Sequence, residues 1–313
     1  MSQLYGIVTS RHGGFYSVLV ENETGALPCR TRGNLRQQDT RDLVVVGDRV
    51  LIEKIHPEEG RILEIMPRNS VLRRAKGYSE KLSGREKREG QILISNLNQV
   101  LILLPVREPD FHPLQLDRFL VMVEAMDLNA VVLIGKYDLL ENHEEIEYQI
   151  QAYRNAGYQV IPLSIKTSQG IEEIRECLKD KISFLMGPSG SGKSSLMNVL
   201  LPNLDLNIGE WSSRCKTGPQ TTTHTSLHLV GPNSFVADTA GFSQIFLFHI
   251  AKEELRFYYP EIFQCLKNDP CHYHNCLHRE GEQGCSLPRA VDSGLVSLPR
   301  LNRYRRLLEE CKL

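Results

Sequence analysis

Gly187-Pro188-Ser189-Gly190-Ser191-Gly192-Lys193-Ser194 matches the phosphate-binding pattern G-x-x-x-x-G-K-[ST] in full. The run Ile182–Met186 before it reads as a buried strand, and a helical stretch, Ser195–Leu201, follows. In that setting the glycines let consecutive backbone N–H groups turn inward on phosphate oxygens, and the helix adds its positive end. Lys193 is expected to reach the β- and γ-phosphates, with the Ser194 hydroxyl on Mg²⁺ and Ser195 completing the cradle. This stretch decides the fold: a nucleoside triphosphate site on an α/β sheet.

Outward from it, strands and helices alternate. Apolar runs fall at Gln99–Val106, Ala130–Gly135, Tyr158–Leu163, Lys181–Gly187, Leu227–Val230 and Ser234–Ala237. Between the early ones, Leu116, Phe119, Leu120 and Val123 repeat at helical spacing, and Ile146, Ile150 and Tyr153 do so more sparsely. Such alternation predicts a mostly parallel sheet with its ligands at the carboxyl ends of strands.

Two segments upstream of the phosphate loop look like base readers. Gly135-Lys136-Tyr137-Asp138 follows a strand run and resembles the Asn-Lys-x-Asp motif. A carboxylate there accepts from guanine N1–H and N2–H₂, donors that adenine does not offer in that pattern. The Lys136 stem would lie along the base. Ser164-Ile165-Lys166, after the next strand, resembles the Ser-Ala-Lys segment that contacts guanine O6.

Downstream lie Thr221-Thr222-Thr223, preceded by Gly218-Pro219, and then Asp238-Thr239-Ala240-Gly241. Asp238 is placed to hold Mg²⁺ and the Gly241 N–H to sense the γ-phosphate; Thr222 or a neighbouring threonine would close on the ion. The residue after Gly241 is Phe242, which cannot orient water as a glutamine would, and Gln220 is the nearby amide available for that task. The base reader thus precedes the phosphate loop, a circular permutation of the usual GTPase order, and the switch segment leads straight into the C-terminal region.

The flanks differ in kind. Residues 1–67 carry strand-like runs at Tyr5–Thr9, Phe15–Glu21, Leu43–Lys54 and Arg61–Met66, and a split at Gly47-Asp48 would make five strands, as in an OB-type barrel. Arg30, Arg32 and Arg36, in the segment Cys29–Arg36, mark a candidate RNA-facing loop or strand edge. From Arg68 to Gln91, eight Lys/Arg stand against three Glu, which reads as a mobile basic linker. Near the C-terminus Arg300, Arg303, Arg305 and Arg306 suggest a second phosphate-backbone contact. Between them, Cys271-x4-Cys276-x-His278-x6-Cys285 packs three thiols and an imidazole into one short segment, enough for a closed structural zinc site. Cys265, His272 and His274 remain possible substitutes.

Composition sets the outer bounds. With 313 residues, 41% hydrophobic, 24% charged and a net charge of −1, the chain reads as an ordinary multidomain globular protein. Strict apolar runs such as Val100–Leu104 reach only five residues, too few for a transmembrane helix. Met1–Gly14 lacks the pattern of a secretory signal, so the eight cysteines are expected to be reduced in a cytoplasmic setting.

Taken together the chain resembles the circularly permuted small ribosomal subunit biogenesis GTPases of bacteria and organelles. The resemblance spans nearly the full length and is carried by Arg32-Gly33-Asn34-Leu35, Gly47-Asp48-Arg49-Val50, Gly187–Leu196, Thr221–His224, Asp238–Gly241 and the Cys/Cys/His/Cys set. It implies an OB barrel (1–67), a basic linker (68–91), a permuted GTPase domain (92–247) and a zinc-binding helical domain (248–313). It also implies a cytoplasmic monomer that binds 16S rRNA on the maturing 30S subunit, which stimulates hydrolysis of GTP to GDP. Three positions depart from the family pattern: Gly135 replaces an Asn, Gln220 replaces a His, and the His278–Cys285 spacing is one residue longer. The competing readings are a P-loop kinase or ATPase and an RNA-binding scaffold with a vestigial nucleotide site.

Overall fold

The computed structural model describes residues 3–12, 14–21, 23, 25–31, 44–74, 91–141, 143–201, 225–239 and 250–311. Five strands near the N-terminus, β1 (Gln3–His12), β2 (Phe15–Val20), β3 (Ala26–Thr31), β4 (Arg49–His56) and β5 (Glu59–Ile65), close into a barrel of order β1-β2-β3-β5-β4. All neighbours are antiparallel except β3 and β5, which run parallel. This is the OB arrangement. Strict alternation turns Tyr16, Val18 and Val20 of β2 and Leu27 and Cys29 of β3 inward, where they meet Val8, Val50, Ile52 and Ile62.

The expected count of five strands holds, but one strand is different. Ala26–Thr31, within and before the supposed basic loop, is β3. Leu27 and Cys29 alternate with polar or exposed residues, a short pattern interrupted by Pro28 that hid it. The piece before Gly47 is not a barrel strand. Val44 plugs the barrel core, and Val46 makes an isolated bridge to Ile94.

The supposed linker also begins and ends in order. Val71–Arg74 (β6) pairs antiparallel with Gln91–Ser95 (β7), and Leu72 and Ile94 are buried. Residues 75–90 lie outside the described residues. Arg68 is no solvated charge. Its guanidinium donates twice to Asp48, at 2.7 and 2.8 Å, and Asp48 also accepts from Val45 N–H (2.9 Å) and the Ser95 hydroxyl (2.6 Å). Asp48 is fully buried, so its charge is matched by one cation and further donors. Gly47 has φ +88°, and a Cβ there would collide with the Ser95 carbonyl; the Gly-Asp pair thereby fixes the barrel against β7.

The α/β sheet has the order β10-β9-β8-β11-β13-β12, where β8 is Gln99–Pro105, β9 Asn129–Gly135, β10 Gln159–Pro162, β11 Ile182–Met186, β12 Thr225–Gly231 and β13 Ser234–Thr239. β9 and β10 are parallel, as are β11 and β13; β12 is antiparallel. Helices α1 (Pro113–Glu124), α2 (His143–Asn155), α3 (Ile171–Leu178) and α4 (Lys193–Leu200) intervene. The stripe Leu116, Phe119, Leu120 and Val123 is buried as its spacing predicts. By compactness the chain divides into two units: Met1–Gln99 with Leu178–Leu185 and Leu200–Gly241, and Val100–Cys177 with Met186–Val199 and Phe242–Leu313.

In the second unit the C-terminal region adds α5 (Pro260–Asn268), α6 (Leu287–Asp292) and α7 (Leu298–Glu310), each with proline in its first two positions, where the missing N–H costs nothing. Ser297 caps α7 by accepting from Arg300 N–H. Here the expected basic surface is overturned. Arg300 is 1% exposed, with Nη1 on Asp117 (2.6 Å) and Nε on Glu261 (2.7 Å); Arg303 Nε meets the other Asp117 oxygen at 2.7 Å. Both arginines lie on the buried face of α7 with Tyr304, Leu307 and Leu308. Arg305 donates to the His278 carbonyl (3.1 Å), and only Arg306 of the four is exposed. The cluster ties α7 to α1 and α5.

Candidate functional site

The phosphate loop leaves β11 at Gly187 and enters α4 at Lys193. Gly187 has φ +154°, and a Cβ there would collide with the Leu103 carbonyl, so only glycine lets the loop turn this close to β8. Lys193 Nζ donates to the carbonyls of Gly187 (2.8 Å) and Pro188 (2.7 Å), so its ammonium is folded into the loop. Ser191 is buried, and its hydroxyl has no partner among the described residues. Ser189 and Gly190 are exposed at the tip; Gly192, Ser194 and Ser195 are half-buried.

The candidate base-reading segment starts where β9 ends. Lys136 is left-handed (φ +53°), and Tyr137–Leu139 form a 3-10 turn. This kink directs Asp138 toward the loop after β10, where its carboxylate accepts from the Ser164 hydroxyl at 2.6 Å. Ser164 Oγ in turn accepts from Thr167 N–H (3.2 Å), and Tyr137 N–H bonds the Leu163 carbonyl (3.0 Å). The two motifs are therefore hydrogen-bonded to each other. The Tyr137 hydroxyl reaches Glu147 at 3.4 Å, and burial, with Glu147 adding to it, raises its pKa. Lys136 Nζ donates to the Glu108 carbonyl.

A cleft of about 400 Å³ joins these pieces: Lys136 and Asp138, Ile165 and Lys166, and Ser191, Gly192 and Ser195 all line it. Gly135 lines it as well. A Cβ at Gly135 would stand 2.9 Å from Leu103 Cδ1 and 3.4 Å from the Ser191 carbonyl, so the Leu103 side chain crowds the space that a larger residue would use. Three motifs far apart in sequence thus surround one ligand-sized space.

The model of the RsgA GTPase family matches residues 65–248, and that of the RsgA N-terminal domain matches residues 5–62. The chain belongs to the RsgA GTPase family. It is 35% identical to the small ribosomal subunit biogenesis GTPase RsgA of Caldanaerobacter subterraneus subsp. tengcongensis, covering 100% of this chain and 97% of that protein. The protein of the same name from Moorella thermoacetica is 36% identical, over 97% and 96% of the two chains. Among solved structures, YjeQ from Thermotoga maritima superposes with a TM-score of 0.78 at 29% identity, over 99% and 98% of the chains. YloQ, described as a circularly permuted GTPase, gives 0.75 at 30%, over 99% and 95%. Membership in the RsgA GTPase family makes the chain a GTP-hydrolysing P-loop enzyme with permuted motifs.

A second site lies in the C-terminal region. Cys271, Cys276, His278 and Cys285 present ligand atoms that all lie within 4.8 Å of one another, and three of the four residues are buried. His278 Nδ1 is 3.5, 3.4 and 3.6 Å from the sulfurs of Cys271, Cys276 and Cys285. Cys265, His272 and His274, the possible substitutes, are not in this group. The loop is braced from outside: Glu282 accepts from Leu277 N–H (3.1 Å) and Arg279 N–H (2.8 Å), one on each side of His278. Burial lowers the His278 pKa to about 4, with Arg256 adding to the effect, so the imidazole is neutral at pH 7. Burial also raises the Cys276 and Cys285 thiols. Such a group could hold a metal ion, which would displace the thiol protons.

Other expectations have mixed outcomes. Gln220, Thr221–Thr223 and Gly241 lie outside the described residues, and Asp238 falls in β13 opposite Ser226. Arg32 and Arg36 lie outside them too. Arg30 is exposed on the barrel, its guanidinium 4.2 Å above the centroid of Phe15, itself 40% exposed. Sequence reasoning did not single out Phe15, Leu103 or Glu108. Phe15 and Leu103 look like ordinary strand residues, and Glu108 like an ordinary residue of the turn after the strand run Gln99–Val106.

Proposed function

We propose that this chain binds the small ribosomal subunit through 16S rRNA and hydrolyses GTP to GDP and phosphate during late 30S maturation, with the subunit stimulating turnover. The observation that carries this reading is the convergence of the P-loop, Asp138 and Ser164–Lys166 on one cleft, in a chain matched over its full length by GTPases named for small-subunit biogenesis.

Phosphoryl transfer needs positioning and charge neutralisation above all. When triphosphate enters, Lys193 exchanges the carbonyls of Gly187 and Pro188 for phosphate oxygens. The backbone N–H groups of Ser189–Ser195 cradle the phosphates, and Asp138 accepts from guanine N1–H and N2–H₂ while Ser164 holds its carboxylate. Ser194 and Asp238, with Thr222 or a neighbour, would hold Mg²⁺, which supplies charge neutralisation. Gln220 orients the attacking water, since Phe242 cannot, and Gly241 contacts the γ-phosphate.

Zinc suits the Cys/His group. Zinc–sulfur near 2.3 Å and zinc–nitrogen near 2.0–2.1 Å at tetrahedral angles separate N from S by about 3.6 Å, against observed separations of 3.4–3.6 Å. Its task is structural. The modules follow the boundaries 1–67, 68–91, 92–247 and 248–313, with the barrel and its Arg30–Phe15 pair facing rRNA. The protein acts as a cytoplasmic monomer; no helix among the described residues is long and apolar enough to cross a membrane.

Multiple-turnover GTP hydrolysis, measured with and without purified 30S subunits, tests the reading. Stimulated hydrolysis of GTP but not ATP is expected. Equal use of ATP would favour a kinase or ATPase, and subunit binding without turnover would leave a scaffold.

A further inference from the structure

After β8 the chain turns through residues 106–111 before α1 begins. Val106 N–H bonds the Gly135 carbonyl (2.9 Å) and Phe111 N–H bonds the Val106 carbonyl (3.3 Å), so the turn is tied to the end of β9. Within it Glu108 has φ +54°, a left-handed conformation uncommon for a residue with a Cβ. The Glu108 carbonyl accepts from Lys136 Nζ of the base-reading segment. The same oxygen lies 4.0 Å from where a Cβ on Gly190 would stand, and Pro109 Cδ lies 3.5 Å from that point. Glu108 therefore sits at the junction of the base-binding and phosphate-binding loops, and it lines the cleft with both. Its carboxylate is exposed and has no partner among the described residues.

Among the described residues that line the cleft, only Glu108 and Asp138 bring negative charge. A carboxylate next to a triphosphate meets only acceptors and repulsion. Asp138 takes guanine N1–H and one of the two N2–H donors, all of them at the edge of the base. Between base and phosphates the donors on the nucleotide are the ribose 2′- and 3′-hydroxyls, and the sugar lies there as Glu108 lies between the two loops. We infer that Glu108 is the residue that selects ribose, its carboxylate accepting hydrogen bonds from the 2′- and 3′-hydroxyls of the bound guanine nucleotide. This deepens the GTP-site reading and rests on it.

The test compares affinities of the full-length chain for GDP, 2′-deoxy-GDP and 3′-deoxy-GDP, in the native sequence and in Glu108→Ala and Glu108→Gln. A hydrogen bond to a charged acceptor corresponds to about tenfold in affinity. The native chain should therefore prefer GDP about tenfold over at least one deoxy analogue. In Glu108→Ala that ratio should fall to near one, and Glu108→Gln should be intermediate, because its amide oxygen still accepts. A native chain that binds GDP yet ignores both deletions overturns the inference, and that arm requires no substituted protein to fold. An unchanged ratio in Glu108→Ala, with all three nucleotides shifted equally, also overturns it and marks a general charge effect. Failure of the native chain to bind GDP at all would instead overturn the nucleotide-site reading beneath it.

Discussion

The nucleotide cleft and the Cys/His group both gather polar atoms around a space, and they hold them in opposite ways. In the cleft, Lys193 rests on backbone carbonyls of its own loop, Lys136 on the Glu108 carbonyl of the next one, and Asp138 is held by one hydroxyl. The two lysine contacts are ones that an arriving ligand can replace at little cost, because loop carbonyls and a solvent-facing cleft remain hydrated afterwards. Around His278, three sulfurs stand at ligand distance of one nitrogen, inside a core built by Tyr259, Ile262, Leu301, Tyr304 and Leu307. Removing a cation from there would leave buried thiols with nothing to replace it. One arrangement suits a ligand that turns over; the other suits an ion that stays.

The largest effect should come from breaking the closed site. The native chain is expected to carry about one zinc by elemental analysis, and Cys276→Ala should lose it. Apparent binding energies of structural zinc run to about 10 kcal/mol or more. Hydrogen exchange should then report lost protection across α5–α7, with the P-loop helix α4 still protected. Full metal retention in that variant would mean that another residue serves as the ligand.

Next in size is Asp117→Ala. It leaves Arg303 with only Gln149 and takes one of its two carboxylates from Arg300, so one buried positive charge is uncompensated, a change that costs about 3–5 kcal/mol. Urea unfolding of the C-terminal region should show it, and a loss below about 1 kcal/mol, the range of exposed pairs, would mean that water reaches the pair.

The open site should respond in affinity rather than stability. Asp138→Asn removes two charge-assisted acceptors, so GTP binding should weaken about a hundredfold while xanthosine triphosphate, whose C2 carbonyl accepts from an amide, binds better. Titration with both nucleotides checks this, and unchanged GTP affinity would take Asp138 out of base recognition. The melting temperature should hardly move.

The smallest effect concerns Gly135. In Gly135→Ala the new methyl meets Leu103 Cδ1 at 2.9 Å, a strain of about 1 kcal/mol shared between stability and a few-fold loss of nucleotide affinity. Adding Leu103→Val should recover most of the loss. A double variant no better than the single one would show that Leu103 is not what crowds the position.

Much of this organisation was legible beforehand, for local reasons. A phosphate is gripped by the N–H groups of consecutive residues, so Gly187–Ser194 carries its own geometry, and its place between β11 and α4 followed. The Cys/His ligands fall within one short segment, so spacing alone proposed the group. What misled was charge and short strands. Arg300 and Arg303 read as a basic surface because a side chain's charge is visible in sequence while its partner is not. β3 was overlooked because six residues interrupted by Pro28 carry too little alternation to stand out.

By itself, then, the sequence determined which candidate motifs the chain carries and in what order they come: proposed base reader, phosphate loop, proposed switch, Cys/His group. The tertiary structure decided which residues meet. Asp117 and Arg300 are separated by 183 positions, and Asp48 and Ser95 by 47. Glu108 reaches the cleft only because β8 and β9 end side by side. Pairing at such distances is set by how helices and strands pack around the core, and no local pattern encodes it. A charge's role as surface or strut is therefore fixed by the fold.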